Sequence, residues 1–540
     1  MTRCRFGLAA ALVAGLAGCA HATSPGGPQA ARTVAFAVSS DPATLDPLFA
    51  HADAGAVEQQ LAHLVFEPFF DLDAAGKPVP ELLERIPSPA NGGVSADGRT
   101  ILYHLRRGVV WSDGKPVTAA DVLFTLRAIL DPANPVASRE GYDLIDDARA
   151  LSPHTVRLHL RRPWAPAVAT FFAYGTAPQY VLPEHVLAGQ RPLATAAFAA
   201  APTVGDGPFS FVSWKRGDRL EYRANPRYWR GKPRVDALSV RIVPDPGTNL
   251  TLLQAGDLDF NLLAPAQAAA LAGRPGIAFV AVPTALVAGI ALNVSHPPLD
   301  DPRVRRALAE SIDRDAISKK ITLGRYPVAD TDRPRFSWAY DSSIREPAYN
   351  PDRANADFDA AGWAWGPDGV RQQRGRRLAL TYVQFPETST GVRVATFVQA
   401  ELRQRGVDVT VKSISNAQLF LPAAEGGTLA TGKFDLAYVP WQMGADPDDR
   451  FLLGCSAAEK NYMRYCDPKV EALENRAVAE PAEPARRAAY AGIDRIVARD
   501  VPIVYLFNPS YVYAYRDRLR GFAPNGFMPT WNAYAWSLAP

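Results

Sequence analysis

The sequence predicts an α/β protein of more than one domain, and three observations lead to this prediction. A chain of 540 residues is longer than a single hydrophobic core usually organises, so two or three domains are expected. A hydrophobic content of 48% with 21% charged residues is typical of globular proteins. Residues 378–414 contain two predicted strands separated by a predicted helix, an order that indicates a mixed or parallel sheet.

The N-terminal residues have the features of a secretory signal peptide, predicted to span residues 1–18. A positively charged start precedes an apolar run over residues 6–17, which is shorter than the roughly 20 residues that a bilayer span needs. Leu16-Ala17-Gly18-Cys19 resembles a lipobox, in which cleavage before Cys19 frees that cysteine for lipidation. Residues 19–32, rich in Pro, Gly, Ser and Ala, would then form a flexible tether. A plain signal peptide cut nearby is the alternative.

Residues 99–132 have the pattern of a strand, a turn and a capped helix. Apolar and polar residues alternate at the start, which predicts a strand with unequal faces. Asp113-Gly114 predicts a tight turn. Thr118, three residues before Asp121, predicts a capping box at the start of a helix that Asp131-Pro132 ends. Strand, turn and helix by themselves indicate no function.

The residues of this stretch also follow a known pattern. LRRGVVWSDGKPVTAADVLFTL, residues 105–126, resembles the signature of the family 5 solute-binding proteins, the dipeptide- and oligopeptide-binding components of ABC importers. The resemblance extends from residue 39 to about residue 515. Further family-like motifs follow in the same order at residues 205–209, 225–229, 231–233, 338–341, 349–351 and 455–473.

The resemblance implies a two-lobed periplasmic-binding-protein fold, hinged and of the large peptide-binding type, with an extra subdomain in the first lobe. Lobe I is then expected at residues 33–288, with the extra subdomain at about 62–200. Lobe II is expected at residues 289–505, and residues 506–540 are expected to return to lobe I.

The predicted ligand site lies at the end of a predicted strand over residues 434–441, because α/β lobes place ligand contacts at strand ends. The resemblance implies that Trp441 flanks the ligand. In peptide-binding relatives an Asp three residues later pairs with the free amino terminus of the ligand. Here Gly444 stands at that position, and Asp446 follows two residues later. The alternative is that Trp441 belongs to the core and Asp446 caps the next helix.

The ligand is expected to be peptide-like and held largely through its backbone and an amine. Some dipeptide-binding relatives place an Arg shortly after the strand equivalent to residues 378–385 to hold the ligand carboxylate, and residues 384–389 contain none. Asp446 could pair with an ammonium, and Gln384 and Gln442 offer neutral donors and acceptors. The predicted ligand-binding residues are Ser39, Gly207, Tyr382, Gln384, Phe385, Trp441, Gln442, Met443 and Asp446.

Cys4 lies in the predicted signal peptide and Cys19 at the predicted anchor, which leaves Cys455 and Cys466 in the body of the mature chain. An even pair in an exported protein is more often bridged than free, so a disulfide is predicted between them. Metal binding by the pair is the weaker alternative, because no His lies near it.

Residues that would indicate an enzyme are not found in the sequence. The eight histidines are dispersed, and no Gly-x-Ser-x-Gly motif occurs. Residues 427–433 match the first part of a phosphate-binding loop, but Phe434 stands where Ser or Thr would hold magnesium. A net charge of +3 without a basic run gives no support for nucleic-acid binding. No catalytic residue, cofactor or metal site is therefore predicted.

The sequence thus predicts a substrate-binding lipoprotein of an ABC importer, monomeric and anchored to a membrane in the periplasm. Its expected partners are a peptide or other small solute, a permease with its ATPase, and the membrane through the lipid on Cys19. The alternatives are a non-peptide solute (a sugar, an opine or a metal complex) or a periplasmic sensor, with an enzyme such as a peptidase less favoured.

Overall fold

The computed structural model describes most of the chain after the predicted tether. The described residues are 32–49, 56–136, 138–173, 179–456 and 460–539. The predicted signal peptide, Cys19 and the tether up to residue 31 lie outside them. Within the described residues, no helix is long and apolar enough to cross a membrane.

The described residues up to 283 form eleven strands and six α-helices. The strands are β1 Thr33–Val38, β2 Phe70–Leu72, β3 Pro78–Pro80, β4 Thr100–His104, β5 Ile145–Ser152, β6 Thr155–Leu160, β7 Phe209–Lys215, β8 Arg219–Ala224, β9 Ala237–Ile242, β10 Phe260–Leu263 and β11 Ile277–Pro283 in the described residues. The described helices are α1 Ala56–Val65, α2 Ala119–Leu130, α3 Ala167–Thr170, α4 Glu184–Leu187, α5 Pro246–Ala255 and α6 Pro265–Ala270.

The rest of the chain forms the remaining elements. The described strands are β12 Leu286–Leu292, β13 Ala364–Trp365, β14 Arg371–Gln373, β15 Arg376–Arg377, β16 Ala379–Gln384, β17 Asp408–Ser413, β18 Leu436–Gln442, β19 Ile503–Phe507, β20 Ser510–Arg516, β21 Leu519–Arg520 and β22 Ser537–Leu538. The described helices are α7 Pro302–Glu310, α8 Arg314–Ala316, α9 Pro351–Ala360, α10 Ser389–Arg403, α11 Asn416–Phe420, α12 Thr428–Thr431, α13 Arg450–Leu453, α14 Pro468–Ala479 and α15 Glu483–Asp500.

Two large mixed sheets organise these elements. The first has the order β11-β20-β10-β1-β9-β8-β7, and the second has the order β17-β16-β18-β12-β19. In the second sheet β16 runs parallel to β17 and β18, whereas β12 runs antiparallel to β18 and β19. The α/β fold predicted from the alternation of strands and helices is therefore confirmed. We call the part built on the first sheet the first lobe (residues 32–283 and 510–539) and the part built on the second sheet the second lobe (residues 286–507).

A smaller antiparallel sheet, in the order β4-β6-β5, extends the first lobe. The helix that follows β4 in sequence has the predicted capping box, in which the Thr118 amide donates to Asp121 Oδ2 at 2.8 Å and the Ala120 amide donates to Thr118 Oγ1 at 3.3 Å. The buried apolar side chains of this sheet belong to the same core as those of the first large sheet, whereas the second large sheet has a separate core. Each large sheet therefore has its own hydrophobic core, as expected for a protein with two lobes.

The chain passes between the lobes twice, at 284–285 and at 508–509. The two crossings are joined to each other, because the amide and the hydroxyl of Thr284 both donate to the Pro509 carbonyl, at 3.3 and 2.7 Å. Asn508 Nδ2 also donates to the Leu286 carbonyl at 3.3 Å. The two connections between the lobes therefore lie side by side. The boundaries expected after residues 288 and 505 fall inside β12 and β19.

Cys455 and Cys466 form a disulfide, with 4.7 Å between their Cα atoms. The bridge closes a short loop between α13 and α14. Asn461 fixes the inside of this loop, because its Nδ2 donates to the carbonyls of Gly454 at 3.1 Å and Tyr465 at 2.7 Å. The loop thus has both a covalent and a hydrogen-bonded closure.

Glu474 of α14 is a buried carboxyl whose two oxygens have no hydrogen-bond partner among the described residues. Burial raises the pKa of Glu474 to about 9, and the nearby carboxyls of Asp449, Glu471 and Asp448 add to the rise. The folded protein therefore keeps a proton that the unfolded chain, with an ordinary Glu pKa of about 4.3, has already released. The contribution of Glu474 to the free energy of unfolding therefore decreases as the pH rises towards 9.

We predict that Glu474→Gln makes the free energy of unfolding less dependent on pH between pH 6 and 9. The wild-type value should fall with rising pH, and the neutral amide should remove a slope of about 1 kcal/mol per pH unit from this fall. Urea unfolding at several pH values measures it. An equal slope in the variant and the wild type would contradict the prediction.

Candidate functional site

A cavity of about 780 Å³ lies between the two lobes. The first lobe contributes wall residues in segments 70–101 and 163–169, and the second lobe contributes residues in segments 334–338, 444–446 and 479–486. This volume falls in the range of clefts that enclose ligands of drug-like size. Because both lobes supply the wall, a molecule in the cavity touches both of them.

The wall of this cavity is mostly apolar. Each lobe supplies two large aromatic residues, Phe70 and Trp164 from the first lobe and Phe336 and Trp338 from the second. The wall also contains six prolines, which are Pro78, Pro87, Pro89, Pro163, Pro334 and Pro481. Proline has no backbone N–H, so these positions offer a ligand no amide donor. The wall is therefore suited to apolar contact more than to hydrogen bonding.

The polar centre of the wall is an ion pair between Asp446 and Arg486. Arg486 Nη1 donates to Asp446 Oδ2 at 2.9 Å, and Arg486 Nη2 donates to Asp446 Oδ1 at 2.6 Å. Burial raises the pKa of Asp446, and the charge and hydrogen bonds of the Arg486 guanidinium oppose that rise. Arg486 also donates to the Ala477 carbonyl at 2.9 Å and to the Tyr490 hydroxyl at 3.1 Å. The pair is thus bound within the second lobe.

A second buried guanidinium, that of Arg333, holds the loop that carries Asp446. Its side chain is 1% exposed, and Nη1 donates to the Pro447 carbonyl at 2.7 Å. Nη2 donates to Asp449 at 2.7 Å, and Nε donates to Asp494 of α15 at 3.1 Å. Burial raises the pKa of Asp449 to about 7 and that of Asp494 to about 6, whereas the charge of Arg333 opposes both shifts.

Asp446 is the one residue of the nine predicted ligand contacts, all of them described, that lines this cavity. The carboxylate expected to pair with a ligand amine is instead paired with Arg486, and Oδ1 also accepts from the Asp448 amide at 3.1 Å. Asp446 does not cap the next helix, because Asp449 takes the position before α13. No pattern in the sequence indicates that Arg486 is the partner of Asp446, since the two residues are 40 positions apart.

Trp441 lies in the core of the second lobe and is 4% exposed, as the alternative prediction of a core residue expects. The reason is its place on β18, where it packs against Gly289 of the neighbouring β12. Met443 is likewise buried in that core, and Gln442 is exposed away from the cavity wall. The strand end predicted to hold the ligand therefore turns its aromatic side chain inward.

The predicted contacts Tyr382 and Gln384 on β16, and Phe385 directly after this strand, are also buried. Tyr382 and Phe385 belong to the core of the second lobe, and Gln384 Nε2 donates to Ser413 Oγ at 2.5 Å. In the first lobe Ser39 is exposed at the end of β1. A Cβ on Gly207 would lie 2.6 Å from the carbonyl carbon of Val65, so this glycine allows the close approach of α1. None of these residues lines the cavity between the lobes.

Three of the four large aromatic residues in the cavity wall, Trp164, Phe336 and Trp338, come from loops. Trp164 lies in an aromatic, proline-punctuated stretch, and Trp338 lies in a family-like motif, but neither pattern indicates a direction for the side chain. Aromatic residues beside prolines in a loop are the one signal that could have pointed to them. Their convergence depends on the packing of the two lobes.

Comparison with known proteins places the chain among solute-binding proteins. The model of the bacterial extracellular solute-binding proteins, family 5, matches residues 77–462. Protein XP55 of Streptomyces lividans is 30% identical over 95% of this chain and 91% of its own length. Di/tripeptide-binding protein 2 of Pseudomonas aeruginosa is 27% identical over 91% of this chain and 92% of its own length. The oligopeptide-binding protein AppA of Bacillus subtilis, solved with a nonapeptide, is 22% identical with a TM-score of 0.77, covering 94% of this chain and 99% of its own.

We predict that Asp446→Asn lowers the free energy of unfolding by about 3 kcal/mol, because the guanidinium of Arg486 loses its counter-charge inside the protein. Glu483→Gln is the control on the same side of the cavity. It breaks the exposed pair with Arg487, whose side chain is 49% exposed, and should cost less than about 1 kcal/mol. Urea unfolding near pH 7 compares them, and equal losses in the two variants would argue against the buried pair.

Proposed function

Because this chain belongs to family 5 of the bacterial extracellular solute-binding proteins, we propose that it captures a peptide-like solute between its lobes and delivers it to an ABC permease. The observation that carries the proposal is the cavity whose wall comes from both lobes. A ligand that contacts both lobes binds the closed form better than an open one, so it shifts the population towards closure. The permease would then recognise the closed form.

The connections between the lobes support this mechanism. Two adjacent crossings at 284–285 and 508–509 allow the lobes to rotate about one axis. On the far side of the cavity, the Ala165 amide of the first lobe donates to the Val478 carbonyl of the second lobe at 2.7 Å. Gly98 of the first lobe also lies close to Pro481 of the second lobe, since a Cβ on Gly98 would be 3.6 Å from the Pro481 Cβ.

The lobes also pack through apolar residues, because a Cβ on Gly76 would lie 2.9 Å from the Phe336 ring and Ala445 packs against the cluster of Phe70 and Leu72. Opening of the cavity would have to separate these contacts.

A peptide-like solute is favoured by relatives named for di- and tripeptides, which align with this chain over nearly its whole length. A non-peptide solute on the same fold is the second candidate. Structures of the same fold were solved with Ni(L-His) and with agropinic acid, so the fold by itself leaves the ligand open. A sensor without its own transporter would use the same closure.

The proposed setting is the periplasm, with a lipid on Cys19 as the anchor. The periplasmic location is supported by a relative that is named as a periplasmic-binding protein. In this setting the Cys455–Cys466 pair would be oxidised during export. The partners in the membrane would be a permease and its ATPase, and the protein would act as a monomer.

Closure predicts a change of size in solution. Protein purified from its native host with its solute should have a smaller radius of gyration than the same protein refolded without solute, because the solute holds both lobes. Mass spectrometry identifies the solute, and small-angle scattering measures the radius. Equal radii for the two samples, with solute detected in the first, would contradict closure.

Lipidation predicts that Cys19→Ser moves the protein from the membrane fraction to the soluble fraction of its host, because stable anchoring needs the acyl chains. Cell fractionation with mass spectrometry of the intact protein measures both location and modification. Cys455→Ser, with the cysteine far from the predicted cleavage site, is the control and should stay with the membranes. A Cys19→Ser variant that stays there at unchanged mass would show another anchor.

A further inference from the structure

We propose that the cavity between the lobes selects an apolar peptide whose two ends carry no charge, such as an N-acylated and amidated or a cyclic peptide. This inference rests on the proposed function and names its substrate class. It follows from three features of the wall: its apolar surface, its scarcity of free donors, and the internal pairing of its buried charges.

The apolar surface comes from both lobes. Phe70 and Trp164 of the first lobe and Phe336 and Trp338 of the second line the same cavity. Phe70 and Trp164 are each 3% exposed, so most of the aromatic surface open to a ligand comes from the half-buried Phe336 and Trp338. Aliphatic side chains, among them Ile86 of the first lobe, complete the wall. Aromatic surfaces of this kind bind apolar side chains and peptide planes without demanding a charge.

Donors for a peptide backbone are few. Prolines in the wall come from both lobes, and each replaces a backbone N–H that a non-proline residue would offer. Outside the Asp446–Arg486 pair, the side-chain donors in the wall are the hydroxyls of Ser88 and Ser337, the indole N–H groups of Trp164 and Trp338, and the ammonium of Lys77. A ligand with many polar groups would leave some of them unpaired on entry, and unpaired buried polar groups oppose binding.

The two buried charges of the wall, those of Asp446 and Arg486, are already paired with each other. Asp446 accepts two hydrogen bonds from Arg486 and one from the Asp448 amide. Arg486 makes four hydrogen bonds within the second lobe, and the centroid of the Trp338 ring lies 5.1 Å from its guanidinium carbon. A ligand ammonium beside Asp446 would meet a carboxylate whose charge Arg486 already offsets, and a ligand carboxylate would meet a guanidinium that already makes four hydrogen bonds.

The two other charged residues of the wall lie at its exposed edge. Glu483 is 59% exposed and pairs with Arg487 at 2.8 Å. Lys77 is exposed at the end of the β2–β3 hairpin. Charges in contact with water interact weakly with a ligand, because solvent screens them. The interior of the cavity therefore gives a charged ligand end little stabilisation to offset its loss of water.

The experiment compares two forms of one tripeptide of leucine and phenylalanine, one acetylated and amidated, the other with both ends free. Calorimetry on the solute-free mature protein should find the capped form bound at least tenfold more tightly. A capped and a free triserine form the second pair, and both should bind more weakly than the capped apolar peptide. Trp338→Ala should weaken binding of the capped apolar peptide by about tenfold, while Trp214→Ala should leave it unchanged.

Trp214 is the matched control because it is also half-buried and close to an Arg, with its ring centroid 3.3 Å from the guanidinium carbon of Arg216, but lies outside the cavity. Tighter or equal binding of the free-ended apolar peptide would overturn this inference and leave the proposed function intact. Tighter binding of triserine would do the same. If none of the four peptides bound, the inference and the proposed capture of peptides would both fail.

Discussion

The buried guanidinium of Arg333 is the interaction on which the second-lobe wall of the cavity depends. It hydrogen-bonds to the loop after β18, through the Pro447 carbonyl and Asp449, and to α15 through Asp494. Arg333 itself directly precedes the wall segment 334–338. One planar cation with several fixed donors thus joins three separate parts of the chain, which a single apolar side chain does less specifically.

Arg486 continues this arrangement towards the cavity. It connects α15 to Asp446 at the surface of the wall and to the carbonyl at the end of α14. The hydrogen bonds of the Arg486 guanidinium therefore fix the relative positions of the helices and the loop. Removing one member of such a pair leaves a buried charge, so the pair is costly to disturb from either side. A rigid, internally neutral wall suits a ligand that brings no charge.

The resemblance to the family and the geometry of the wall answer different questions. Family membership concerns the whole fold, with two sheets, two crossings and a cavity between the lobes. Ligand preference depends on the side chains of loops, and loops differ between proteins that share a fold. Trp164, Phe336 and Trp338 lie in such loops. For this reason, this chain can have a mostly apolar cavity although several of its relatives are named for binding peptides.

The sequence alone determined the local structure and the family. Thr118 and Asp121 cap their helix as predicted, because a capping box is formed by residues three apart, and the α/β order of residues 378–414 gives the second sheet. The site was decided by tertiary structure. Trp441 is buried because β18 pairs with β12, and Asp446 is neutralised by an arginine 40 residues away. Periodicity records which face of an element is apolar, but it does not record which distant residue that face will meet.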